Sequence, residues 1–153
     1  MVEDPTDIAG WQRLDARTTT SGRLLRGDVP RLAALNVRHV INLALADSPG
    51  ALEDEDRLIA DEGMHYTHVP VPFDAPDEAH YQAFRAALES SDGPVHVHCI
   101  MNWRVSAFFY RYHIENGMEP AEARALMEQQ WAPETNSDPR AKTWARFIAQ
   151  GED

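Results

Sequence analysis

The chain has 153 residues, of which 43% are apolar and 25% charged, so it is long enough to bury a core and too apolar for extensive disorder. A formal net charge of −11 argues against nucleic acid as a partner, because an acidic surface repels phosphate backbones. No apolar run reaches the roughly 20 residues of a membrane span, and residues 1–15 lack the pattern of a secretory signal. We therefore expect one cytoplasmic domain over residues 1–153, without a membrane partner.

Strand patterns alternate with helix patterns along the chain. In chain order we predict a helix at 31–35, a strand at 37–43, a helix at 51–62, a strand at 65–69, a helix at 77–88, a strand at 95–98, and helices at about 104–116, 120–130 and 139–149. This alternation predicts an α/β fold, a three-layer sandwich in which helices flank a mostly parallel central sheet. Ligands of such sheets bind at the carboxyl ends of the strands.

One of these strand ends carries the residue types of an anion site. The only cysteine, Cys99, directly follows the strand at 95–98, and Arg104 begins the next helix. A strand–loop–helix turn can direct backbone N–H groups and the positive end of the helix dipole at one point. The planar guanidinium of an arginine matches two oxygens of a phosphate or sulfate. We therefore predict an oxyanion-binding loop, and the four residues between Cys99 and Arg104 are Ile100, Met101, Asn102 and Trp103.

This stretch resembles the signature of the protein tyrosine and dual-specificity phosphatases. His98 and Cys99 stand at the strand end, Arg104 closes the loop, and a long apolar helix follows. The upstream order of segments 23–28, 37–43 and 68–71 is also similar to the order of elements in that fold. The resemblance implies a cysteine-phosphatase-like fold, with Cys99 attacking phosphorus to form a phosphocysteine and Arg104 binding the phosphoryl oxygens.

The family also implies an aspartate on a separate loop, which protonates the leaving group and then activates water. Asp74 is the best candidate, because it follows the strand at 65–69 and precedes the helix at 77–88. Asp77 is the alternative, although Asp77 and Glu78 fall in the first helical turn, where the helix dipole favours acids in any case.

The loop departs from the common family pattern at three points. It has four residues between cysteine and arginine where the family has five, and Asn102 replaces the usual glycine. Asparagine tolerates the left-handed conformation better than most residues, so the turn can form. The hydroxyl that normally follows the arginine is displaced by one position, from Val105 to Ser106. We expect His98 to orient the loop by hydrogen bonding and Ser106 to play a supporting part.

The four-residue spacing is similar to that of two other groups. One is a bacterial group of phosphatase-like domains found beside β-lactamase-fold hydrolases, and Trp131-Ala132-Pro133 followed by Trp144 makes it the nearer match. The other is the rhodanese sulfurtransferases, in which the cysteine carries a persulfide. Three functions therefore stay open: a phosphatase, a sulfurtransferase using Cys99, and a non-catalytic module that binds a phosphorylated ligand.

The expected partner is a phosphorylated substrate, either a protein or a small molecule. We expect no cofactor and no metal, because the seven histidines lack the spacing of a zinc site. One further expectation concerns the helix at 51–62. Its acidic residues are predicted to form a solvated face, and they are Asp54, Glu55, Asp56, Asp61 and Glu62.

Overall fold

The computed structural model describes residues 3–152 as a five-stranded sheet covered by helices. The strands are β1 (Gln12–Arg13), β2 (Thr18–Ser21), β3 (His39–Asn42), β4 (His65–His68) and β5 (Val95–His98). The helices are α1 (Asp28–Ala34), α2 (Glu55–Asp61), α3 (Glu78–Ser90), α4 (Trp103–Glu115), α5 (Pro120–Glu128) and α6 (Ala141–Gln150).

The strand order β1-β2-β5-β3-β4 places β5 in the middle of the sheet. It pairs in parallel with β2 on one side and β3 on the other, so that His98 lies opposite both Ser21 and Asn42. β3 and β4 are also parallel, whereas β1 runs antiparallel to β2 at the edge. Because parallel strands end together, the carboxyl ends of β2, β3 and β5 form one edge of the sheet. Cys99 lies at this edge, where ligands of such folds bind.

Helices cover both faces of the sheet, and each face has its own apolar cluster. Ile41 of β3 packs in the larger cluster, which also contains Trp144 of α6 and residues from α3, α4 and α5. Its neighbour Val40 packs in the other cluster, with Leu32 of α1 and Ile59 of α2. Successive strand residues point to opposite faces, so β3 is buried on both sides. These layers confirm the predicted three-layer fold class. Within residues 3–152, no helix is both long and apolar enough to cross a bilayer.

The sequence prediction missed β1 and β2. All four residues of β2, at positions 18–21, are polar and nevertheless buried. The hydroxyls of Thr19 and Ser21 each lie 2.8 Å from one ring nitrogen of His96 on β5. Burial, and next to it the nearby His98, lower the pKa of His96 well below its ordinary value, so this ring stays neutral. A polar strand can therefore occupy the core where a buried imidazole satisfies its hydroxyls.

Most predicted boundaries lie close to the observed ones, and the strand at 95–98 matches β5. Helix α2 is the clearest exception, because it begins at Glu55 rather than at residue 51. Asp54 precedes it in the left-handed conformation, with φ at +55°, and this conformation interrupts a right-handed helix. Helix α1 begins three residues earlier than predicted, at Asp28.

Candidate active site

The neighbouring strands hold the end of β5, and thereby Cys99, in place. The Cys99 N–H donates to the Ser21 carbonyl at 3.4 Å, and the Leu43 N–H donates to the His98 carbonyl at 2.8 Å. Cys99 is only 1% exposed and belongs to the larger apolar cluster, so its side chain is buried at the carboxyl end of β5.

Asn102 makes the turn from the loop into α4. It has φ at +66° and ψ at 6°, the left-handed conformation expected of the residue that replaces the family's glycine. Its side-chain amide donates to the Gly10 carbonyl at 2.8 Å and to the Thr20 hydroxyl at 2.9 Å. Asn102 is thus more than a substitute for glycine, because it ties the loop to β2 and to the segment before β1.

The segment after β2 holds the loop from outside. The Arg23 N–H donates to the Ile100 carbonyl at 2.8 Å. This approach requires a glycine at position 22, because a Cβ there would lie 2.5 Å from the Ile100 carbonyl oxygen. In a trans peptide the C=O and N–H point in opposite directions. Fixing the Ile100 carbonyl outward therefore turns the N–H of Met101 toward the interior of the loop.

Arg104 is the second residue of α4 and is 7% exposed. Its Nη1–H donates to the Val71 carbonyl at 2.8 Å, and its guanidinium carbon lies 5.8 Å from the centre of the Phe73 ring. The remaining N–H groups of this guanidinium donate to no residue in the described part of the chain. One arm of the arginine therefore holds the segment before Asp74, and the other arm is available to an anion.

Aromatic packing fixes the turn that carries Asp74. The Trp144 indole N–H donates to the Phe73 carbonyl at 2.7 Å, and the Ala75 N–H closes the turn on the Pro72 carbonyl at 3.2 Å. The ring of Phe73 lies within about 6 Å of three tryptophan rings. These rings are those of Trp103, Trp131 and Trp144, whose centres lie 6.0, 5.8 and 5.8 Å from that of Phe73. Asp74 itself is exposed and accepts no hydrogen bond from the described residues.

Asp77, the alternative general acid, has a structural task. It is the N-cap of α3, where its carboxylate accepts the His80 N–H at 2.9 Å. The His80 ring in turn accepts the Asp77 N–H at 3.1 Å, which completes a reciprocal cap. The structure therefore favours Asp74 over Asp77 as the carboxylate that is free for chemistry.

His98 contacts a residue that the sequence prediction misplaced. Its Nε2 lies 2.5 Å from Oε2 of Glu55, and its Nδ1 lies 3.3 Å from the Cys99 carbonyl. The expectation that Glu55 belongs to a solvated face is wrong, because the residue is 5% exposed. Helical spacing gave the signal, since positions 52, 58 and 59 of the same stripe are Leu, Leu and Ile.

The remaining loop-proximal side chains differ in exposure. Met101 is an exposed apolar residue, and Trp103 is half-buried, stacked parallel on Trp131 with 4.8 Å between ring centres. Val105 is fully buried in the larger cluster. The Ser106 hydroxyl donates to the Trp103 carbonyl at 3.2 Å, within its own helix. This hydroxyl is therefore engaged away from the position that follows the arginine in the family.

The described residues contain no group of three His, Cys, Asp or Glu side chains that could together hold a metal ion.

Known sequences and structures indicate the fold to which this site belongs. No family model matches the chain. The Beta-lactamase hydrolase-like protein of Agrobacterium fabrum is 32% identical over 92 residues, a match that covers 57% of this chain but 21% of that protein. The chain thus spans about a fifth of the length of this relative.

Solved structures resemble the chain over nearly its whole length. A proposed phosphatase (DUF442) from Shewanella putrefaciens CN-32 has a TM-score of 0.78 and 27% identity, with 94% of this chain and 90% of that chain covered. TpbA of P. aeruginosa, in a complex with phosphotyrosine, has a TM-score of 0.69 and 19% identity, with 99% and 91% covered. The chain has the protein tyrosine phosphatase-like fold. The resemblance to phosphatase-like domains associated with β-lactamase-fold hydrolases is confirmed.

Proposed function

We propose that this chain is a cysteine-dependent phosphatase, which hydrolyses phosphate monoesters through a phosphocysteine at Cys99. One observation carries the proposal: Arg104, at the start of α4, donates to the carbonyl of Val71. This bond joins the anion loop to the turn of Asp74. On this support the proposal assigns a nucleophile, an oxyanion-binding arginine and a carboxylic acid to one site at the carboxyl edge of the sheet.

In the first step the Cys99 thiolate attacks phosphorus. The P–S bond forms as the P–O bond to the leaving group breaks, and Asp74 gives its proton to the departing oxygen. The phosphoryl oxygens lie against the loop N–H groups and the free arm of Arg104, which stabilise the charge that they share in the transition state.

In the second step Asp74, now a carboxylate, takes a proton from water. The water oxygen attacks phosphorus, the P–S bond breaks, and inorganic phosphate and the Cys99 thiolate are released. In the family, the hydroxyl after the arginine helps the thiolate leave. Val105 has no hydroxyl, and Ser106 donates its own to the helix backbone. We therefore expect real but slow turnover, with the second step limiting.

The substrate is a phosphorylated protein or small molecule. The complex of TpbA with phosphotyrosine supports a phosphorylated ligand for this fold. In this chain the half-buried Trp103 directly precedes Arg104, and its ring stacks on that of Trp131. We expect aromatic rings so close to the loop to favour aryl phosphates over small aliphatic phosphates, which have no ring to pack against them.

Hydrolysis of a series of aryl phosphates tests the proposal. Asp74→Asn should slow hydrolysis by about 10²–10⁴-fold, the usual contribution of a positioned acid or base. The loss should grow as the leaving group becomes more basic, because a good leaving group such as p-nitrophenolate hardly needs a proton. Cys99→Ser serves as the inactive control. Wild-type activity no higher than that of Cys99→Ser would rule out catalysis and leave a module that only binds phosphorylated ligands.

Sulfur transfer is the second candidate, favoured by the four-residue spacing between Cys99 and Arg104 and by the missing hydroxyl after Arg104. Thiosulfate would give its sulfane sulfur to the Cys99 thiolate and release sulfite, and cyanide would remove that sulfur as thiocyanate. This chemistry needs no general acid. Thiocyanate formation that requires Cys99 but is unchanged in Asp74→Asn would favour the sulfurtransferase hypothesis over the phosphatase hypothesis.

A further inference from the structure

We propose that Glu55 is a positioning residue of the Cys99 loop. Acting through His98, it keeps the Cys99 carbonyl turned outward and thereby aims the Ile100 N–H at a bound oxyanion. The inference rests on the proposed function only in requiring that the loop bind an oxyanion, whether or not the loop then turns it over.

The burial of Glu55 calls for a partner. A carboxylate is seldom buried unless it is paired, because removing it from water is costly. Among the described residues, the Glu55 side chain has one hydrogen-bonding partner, the His98 ring, at 2.5 Å. Both side chains are at least 95% buried. Asp54 has a left-handed conformation, so α2 begins at the next residue, Glu55. The carboxylate that contacts His98 therefore belongs to the first residue of the helix.

Both nitrogens of the His98 ring face acceptors. A neutral imidazole carries one N–H, whereas Nε2 faces the Glu55 carboxylate and Nδ1 faces the Cys99 carbonyl. A carbonyl can only accept, so Nδ1 must carry a proton to bond with it. The contact with Glu55 at Nε2 holds the ring in the orientation that places Nδ1 against this carbonyl.

The contact between His98 and the Cys99 carbonyl sets the direction of an N–H group at the anion site, through the geometry of the peptide group. Because the C=O and N–H of a trans peptide point in opposite directions, a Cys99 carbonyl held on the His98 side directs the Ile100 N–H to the other side. The Arg23 N–H acts in the same way on the next peptide, through the Ile100 carbonyl. Two successive peptides of the loop are thus held by their carbonyls from outside, which presents two N–H groups inward.

Vanadate titration of the full chain tests this role without depending on turnover. The informative variant is Glu55→Leu, which removes the partner of Nε2 and leaves the ring free to turn. Losing one well-aimed N–H to a charged ligand should weaken binding by roughly 10- to 100-fold. Glu55→Gln should stay within about threefold of wild type, because the glutamine amide can donate to Nε2 and leave the proton on Nδ1. Asp56→Leu, at an exposed position of the same helix, is the matched control.

A double variant keeps the test decisive if Glu55→Leu does not fold. Replacing a buried ion pair by apolar residues is often neutral for stability, so Glu55→Leu with His98→Leu should fold. It should bind vanadate at least tenfold more weakly than wild type. Wild-type affinity in either folded variant would overturn the role of Glu55 while leaving the anion site intact. A wild-type chain that binds no vanadate would overturn the anion site itself, and the proposed function with it.

Discussion

Replacement of Arg104 by lysine separates the two tasks of this side chain. Its Nη1–H holds the Val71 carbonyl at 2.8 Å, which leaves Nε and Nη2 for two oxygens of a bound anion. The single ammonium of lysine cannot keep the first contact and also make a paired second one. One charge-assisted hydrogen bond to the anion is then lost, worth about 1.5–3 kcal/mol, or roughly 10- to 150-fold in the dissociation constant.

Tryptophan fluorescence should follow this binding directly, because Trp103 adjoins Arg104 and stacks on Trp131. We expect Arg104→Lys to bind vanadate and phosphate more weakly by this factor, with an unchanged unfolding midpoint. Arg146→Lys is the matched control, since Arg146 is an exposed residue of α6. Equal affinities for Arg104→Lys and wild type would mean that this guanidinium does not contact the anion.

Two further substitutions probe how the site is built. Asp77→Ala should lower the free energy of unfolding, measured in urea titrations, by about 1 kcal/mol because the α3 cap is lost. It should keep aryl phosphate hydrolysis, and a loss of activity as large as that of Asp74→Asn would reverse the assignment of the two acids. Gly22→Ala should weaken vanadate binding by tenfold or more, because the new Cβ would meet the Ile100 carbonyl oxygen at 2.5 Å and shift the loop; full affinity would show that the loop does not depend on this close approach.

The centre of the fold was predictable because local and global signals agree there. The pattern of the segment from Val95 to Arg104 predicts a buried strand, a turn and the start of a helix. The structure has this strand at 95–98 and this helix from Trp103 onward. The α/β class follows from alternating periodicity, which depends on the sequence alone. Asn102 could be assigned to the turn because few residues other than glycine adopt positive φ.

The parts that were missed depend on long-range partners. By sequence alone, residues 18–21 resemble a polar loop. Their burial depends on His96, more than 70 positions away, whose two ring nitrogens form hydrogen bonds with the hydroxyls of Thr19 and Ser21. Helical spacing indicates that Glu55 lies on the buried stripe of its helix, but it does not indicate that His98 lies 2.5 Å from its carboxylate. Neither partner can be identified from local sequence, because the sheet topology that joins each pair is set by the whole chain. The link between Arg104 and Val71 is of the same kind.

Trapping the phosphocysteine would show whether Cys99 is the nucleophile. Wild-type protein mixed with an excess of an aryl phosphate, quenched in acid within the first turnover and digested, should yield the Cys99 peptide with one added phosphoryl group. The slow second step expected from Val105 should let this species accumulate, and Cys99→Ser should lack a thiol-bound phosphoryl group. A Cys99 peptide that stays unmodified throughout turnover, or that gains sulfur from thiosulfate but never phosphate from the ester, would contradict the phosphocysteine mechanism.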